Sequence, residues 1–155
     1  MMASTKKLKS VPHLCFGTYR LNGLILKDAA AQAMSEFKTR NRPQLLDGAF
    51  KYQNLNVLVE ILEMYPQAKI GYKVEHGKSM TLKEQLEILK KKVPNQSRIF
   101  RILLHNYSGG KNSYLKFQET VESLFGNEMS IGICNISEEQ LKDLVSGADA
   151  DTAAQ

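Results

Sequence analysis

The sequence predicts an α/β protein of about five parallel strand–helix units, and three observations predict it. Short apolar runs recur at Leu14-Cys15-Phe16, Leu45-Leu46, Ile70-Gly71-Tyr72, Ile102-Leu103-Leu104 and Ile131-Gly132-Ile133-Cys134. Segments with the apolar spacing of helices lie between them. Single polar residues then follow four of the runs, Asp47, Lys73, His105 and Asn135, at intervals of 26, 32 and 30 residues. Such an interval is the length of one strand, loop and helix. Runs that are apolar at both alternating positions suit strands covered on both faces, and the repetition implies right-handed crossovers.

The elements follow in order. The first strand candidate ends at Gly17-Thr18-Tyr19. Asp28 is placed to cap a helix reaching about Lys38 through an alanine-rich stretch of good helix formers. After the second strand, Asn54 caps a helix with Leu55, Leu58, Val59 and Leu62 at helical spacing and Pro66 just beyond its end. Thr81-Leu82-Lys83-Glu84 reads as a capping box opening a helix whose face holds Leu82, Leu86 and Leu89 and which stops at Pro94. Ser113 to Phe125 is a weaker helical pattern, closed by Gly126-Asn127. Ser137-Glu138-Glu139-Gln140 is a second capping box, opening a helix through Val145. No linker divides the chain, so residues 1–155 read as one domain with a basic tail at 1–10 and a fraying end at 147–155.

Composition narrows the function classes. The chain has 155 residues, 43% apolar and 24% charged, as an ordinary globular protein does. No apolar run approaches membrane-spanning length, the start does not resemble a secretory signal, and the expected location is cytoplasmic. Cys15 and Cys134 fall in strand candidates and read as buried, reduced thiols. The net charge is +5. Lys90-Lys91-Lys92 closes a helix, where cations complement the macrodipole, so nucleic acid is not the expected partner. His13, His76 and His105 lack metal-ligand spacing. Ser108-Gly109-Gly110-Lys111 fails as a phosphate loop, because His105 stands where its first glycine belongs and Asn112 where Ser or Thr belongs; it reads instead as a flexible loop.

The carboxyl ends of parallel strands share one face, which brings a carboxylate, a phenol, an ammonium and an imidazole together if Tyr52 is added to the four. A phenol donates its proton readily only where its anion is stabilised, and an ammonium such as Lys73 does that. Asp47 would hold the ammonium in place. His105 could hydrogen-bond a carbonyl oxygen and turn it toward the phenol. The assembly suits protonation of an oxygen while a hydride reaches the neighbouring carbon.

On these residues the chain resembles the aldo-keto reductases, (β/α)8 barrels that reduce aldehydes and ketones with NADPH. Pro12-His13-Leu14-Cys15-Phe16-Gly17-Thr18-Tyr19 is similar to the family's first strand, and Leu46-Asp47-Gly48-Ala49-Phe50-Lys51-Tyr52 to its Asp-x-Ala-x-x-Tyr segment. Lys73 and His105 follow the third and fourth strands as its catalytic lysine and histidine do. Ser130-Ile131-Gly132-Ile133-Cys134-Asn135-Ile136-Ser137 resembles its fifth-strand motif. The resemblance implies Tyr52 as proton donor, Lys73 as the group easing that donation, Asp47 as the holder of Lys73, and His105 as the group orienting the carbonyl. It implies Asn135 on the nicotinamide carboxamide, Asp47, Gly17 and Thr18 beside the cofactor, and Tyr19 facing a small carbonyl substrate. Histidine at position 105, where a branch acting on steroid C=C bonds has glutamate, favours carbonyl reduction. Asn106-Tyr107 departs from the family's usual Trp-Pro, Cys134 from its serine and Tyr19 from its tryptophan.

The resemblance spans the first five of eight units, a partial (β/α)8 TIM barrel truncated before the family's phosphate-binding strands. Two readings stay open. One is an NADPH-dependent (NADP) oxidoreductase whose open edges a second copy or another partner covers. The other is a catalytically silent binding or regulatory protein of the same fold.

Overall fold

A computed structural model describes residues 14–21, 23–77, 79–107 and 110–149. The basic tail, Pro12-His13, Ser108-Gly109 of the loop and residues 150–155 lie outside them. The chain forms β1 (Phe16–Gly17), α1 (Gly23–Thr39), β2 (Leu45–Ala49), a 3-10 turn (Phe50–Tyr52), α2 (Leu55–Met64), β3 (Lys69–Val74), α3 (Leu82–Lys92), a 3-10 turn (Gln96–Arg98), β4 (Ile99–Leu104), α4 (Lys111–Phe125), β5 (Ile131–Ile133) and α5 (Glu138–Asp149). All five strands are parallel in one sheet, in the order β1-β2-β3-β4-β5.

Because each strand pairs with the next in sequence, every crossover runs the same way across the sheet. Right-handed crossovers then place the helices on one face. The packing agrees: α1 lies beside α2, α2 beside α3, α3 beside α4 and α4 beside α5. On the helix-covered face, Leu46, Ile70, Tyr72, Val74, Ile102 and Leu104 are buried with Leu26, Leu58, Leu86 and Phe117 from the helices. Alternate residues, Asp47, Gly71, Lys73, Arg101 and Leu103, therefore project from the opposite face.

Both capping boxes form. The Thr81 amide donates to Glu84 Oε2 at 2.7 Å and Thr81 Oγ1 accepts from the Glu84 amide at 3.3 Å. The Ser137 amide donates to Gln140 Oε1 at 2.8 Å, and Ser137 Oγ accepts from the Gln140 amide at 3.2 Å. Lys90 serves helix packing, donating to the Leu124 carbonyl at 2.6 Å.

Several boundaries differ from expectation. α1 begins at Gly23, so Asp28 lies in its second turn rather than at its cap. The buried stripe Leu26, Ala30, Met34 and Phe37 starts before Asp28 and carries the helix back. Asn54 holds the N-cap position of α2 but makes no side-chain cap bond. At 2% exposure it turns instead to the residue after β1, donating to the Thr18 carbonyl at 3.2 Å and to Thr18 Oγ1 at 3.1 Å. β2 and β3 run past Asp47 and Lys73, which sit inside the strands rather than at their ends. α4 starts two residues before Ser113, and α5 continues to Asp149.

Candidate functional site

Asp47, Gly71 and Arg101 occupy one row across β2, β3 and β4. Glycine in the middle strand lets Arg101 lie over β3 toward Asp47. A Cβ at Gly71 would come within 2.9 Å of Phe100 Cζ and 3.0 Å of Arg101 Nε. Lys73, on the next row of the same face, forms an ion pair with Asp47 Oδ2. Arg101 Nη2 stands 3.4 Å from Asp47 Oδ1 and 3.7 Å from Cys15 Sγ. One carboxylate is thus shared by two cations on a partly buried sheet face.

The 3-10 turn after β2 carries Tyr52 over this group, with Lys73 Nζ 5.5 Å from its ring centre. Gln53, which ends the turn, takes the left-handed conformation with φ 54° and redirects the chain into α2. The Tyr52 ring meets His105 edge-on at 6.0 Å and Tyr19 at 5.2 Å. Tyr19 is exposed, and a Cβ built on Gly17 meets nothing within 4 Å. The mouth of the site is therefore open on the β1 side.

His105 follows β4 and is 7% exposed. Its amide donates to the Val74 carbonyl at 2.7 Å, continuing the β3–β4 ladder one residue. Burial holds the imidazole below its ordinary value, opposed by Glu75 and reinforced by Lys73 and Lys51. Nδ1 is buried without a hydrogen bond, and the nearest carboxylate oxygen, Glu75 Oε2, lies 3.9 Å away.

Asp47, Tyr52, Lys73 and His105 thus come together, with Tyr19 against the Tyr52 ring, while Asn135 and Thr18 differ from expectation. Asn135 stands at the end of β5, exposed and with φ 56°, where its Nδ2 donates to Asn106 Oδ1 at 2.7 Å. It joins the group through Asn106 rather than directly. Thr18, expected beside a cofactor, is 0% exposed. Its hydroxyl donates to the Asp47 carbonyl at 2.9 Å and accepts from Asn54, so it ties β1 to β2 instead of lining a surface.

Sequence reasoning missed Arg101, Glu75 and Asn106. Arg101 shares the alternation of Leu103 and His105, and Glu75 that of Lys73, so period-two counting from the named residues would have found both. Asn106 carried no such signal. Cys15 and Cys134 are free and only half-buried, rather than fully buried as expected. Partial burial still raises both thiols above their ordinary value.

A cavity of about 610 Å³ lies elsewhere, at the amino ends of β3 to β5, lined by Lys69, Ile99, Phe100, Leu103, Met129 and Ile131 among others. It runs from Phe125 of α4 along the uncovered face of the sheet to Arg101, and does not include the space over Tyr52. Among the described residues no group of three or more His, Cys, Asp or Glu could hold a metal ion. Among the described residues no helix is long and apolar enough to cross a membrane. No protein-family model and no curated protein matches the chain.

Proposed function

We propose that the chain reduces the carbonyl of a small aldehyde or ketone with NADPH, as an aldo-keto reductase does, with the five-stranded sheet as an arc of a (β/α)8 barrel. One observation carries the reading: Asp47 inside β2, Tyr52 in the turn after it, Lys73 inside β3 and His105 just after β4 meet in one group. A buried imidazole and a shared carboxylate–ammonium pair beside a phenol have a clear use in moving a proton onto oxygen.

The described residues fit the nicotinamide end of the cofactor. The exposed Asn135 amide is complementary to a carboxamide, and the space above Gly17 is open. The Thr18 hydroxyl is buried and turned to the Asp47 carbonyl. We assign no described residue to the cofactor phosphates. When bound, the cofactor supplies the hydride that reaches the carbonyl carbon.

The chain's own groups do the rest. His105 orients the carbonyl oxygen toward Tyr52. As the carbon is reduced, Tyr52 Oη gives its proton to that oxygen, and the alcohol results. The phenolate left behind is stabilised by the Lys73 ammonium, which is held by Asp47, a carboxylate that Arg101 shares. General acid catalysis of this kind contributes about 10²–10⁴-fold.

The test is aldehyde-dependent oxidation of NADPH by the purified chain and by Tyr52→Phe. The proposal expects turnover in the wild type and a loss of about 10²-fold or more in the variant. Turnover that survives the substitution would remove Tyr52 from its role. A second reading, a silent binding protein of this fold, is favoured by the uncovered inner face at the amino ends of β3 to β5. It expects no turnover in either protein.

A further inference from the structure

Glu75 follows β3 two residues after Lys73 and is used by nothing in the scheme above. Its backbone is clamped. The Glu75 amide donates to Gln85 Oε1 at 3.1 Å, and its carbonyl accepts from Gln85 Nε2 at 2.8 Å, while Gln85 itself is 1% exposed. Its carboxylate is fixed from the other side, since Asn106 Nδ2 donates to Glu75 Oε2 at 3.3 Å. The same Oε2 is the oxygen 3.9 Å from the unpartnered, buried Nδ1 of His105. Asn106 in turn accepts from Asn135 Nδ2 at 2.7 Å. Asn106 and Asn135 reach these positions with φ of 51° and 56°, a left-handed conformation that asparagine tolerates better than most residues.

We propose that Glu75 is a positioning residue for His105, receiving its Nδ1–H, and that Asn106 joins this pair to Asn135. The inference rests on the proposed reductase site and deepens it. A buried donor left without an acceptor is costly, and apo contacts of this kind commonly tighten when a ligand binds. With Nδ1–H turned to Glu75, the neutral ring presents an unprotonated Nε2. His105 can then donate to a carbonyl oxygen only as imidazolium. Carbonyl reduction therefore weakens as pH rises through the His105 midpoint.

The groups acting on His105 come from three sides. Glu75 and Asp47 favour the imidazolium; Lys73 and Lys51 disfavour it; the Tyr52 ring packs edge-on. Glu75 is the largest of the charges acting on it.

Imidazole ¹⁵N NMR of the full chain, free of cofactor and aldehyde, tests the inference. In the wild type the neutral His105 ring carries its proton on Nδ1; an Nε2–H tautomer would overturn the proposal. In Glu75→Gln, which keeps an acceptor but loses the charge, the ratio of imidazolium to imidazole at a fixed pH within the titration falls about tenfold. That is the lower end of what removing an opposite charge at about 4–6 Å does. An unmoved titration in a folded variant would equally overturn it. The wild-type tautomer decides the matter should Glu75→Gln fail to fold. Asn106→Gly, which keeps the left-handed backbone but removes the side chain, moves the titration the same way by less. None of these readouts needs turnover, so a chain without reductase activity can still show them. Turnover with an unmoved His105 would sink this inference and leave the reductase standing.

Discussion

Asp47 carries one charge between two cations, and its place inside β2 makes that arrangement possible. A residue at a strand end is free to turn to solvent. One inside a strand has its direction set by the pleat, and Asp47 points with Lys73 and Arg101 from the face the helices leave open. Burial decides the behaviour of His105. The folded chain takes up a proton on this ring at lower pH than the unfolded chain, whose histidine titrates at its ordinary 6.5. The unfolded state therefore binds more protons in between. His105's contribution to stability is complete above that value and is lost as pH falls through the folded midpoint. Urea unfolding followed from pH 7.5 downward is expected to show stability falling from about pH 6.5, before carboxylates titrate. In His105→Asn that early fall disappears, although Glu84, lowered by its cap bonds, still gives a fall at more acidic pH. An unchanged curve in the variant would mean that burial of His105 is not what sets the early slope.

The elements show how much the sequence disclosed. The helices opened by Thr81 and Ser137 were legible because a capping box is a local signal, complete within four residues. The five strands were legible as apolar runs, but the extents of β1, β2 and β3 were not: β1 is only Phe16–Gly17, with Leu14 and Cys15 outside it. The polar residues of β2 and β3 look like strand ends in sequence and are strand interiors in space. Asn54 reads as a cap and acts as a tether, because its choice depends on Thr18, 36 residues away. The glycines carry a similar lesson. Gly71→Ala drives a Cβ against Phe100 and the arginine that reaches Asp47, and it is expected to cost about 1–3 kcal/mol in urea unfolding, as overpacking usually does. Gly17→Ala enters open space and should stay within about 0.5 kcal/mol of the wild type. Equal costs at both positions would contradict the account of the Asp47–Gly71–Arg101 row.

For the whole molecule, strand order is the decisive fact. An all-parallel sheet in sequence order puts its helices on one face and gathers the strand ends at one end of the other. That is how residues from Asp47 to His105 come to one place, and this convergence was legible from the intervals between the apolar runs. The alternation reaches Glu75, but the links from His105 through Glu75 and Asn106 to Asn135 were not legible, because they are pairings between side chains of different loops. The same topology leaves β1 and β5 as edges and exposes the inner face at the amino ends of β3 to β5. Proton delivery by Tyr52 to a carbonyl under reduction is the claim on which the functional account stands. Incubating the purified chain with an aldehyde and NADPH deuterated at C4 of the nicotinamide, then weighing the product, tests it most directly. The account predicts an alcohol with deuterium on the former carbonyl carbon, formed by the wild type and nearly lost in Tyr52→Phe. No labelled alcohol from the wild type, or the same yield from the variant, would contradict it.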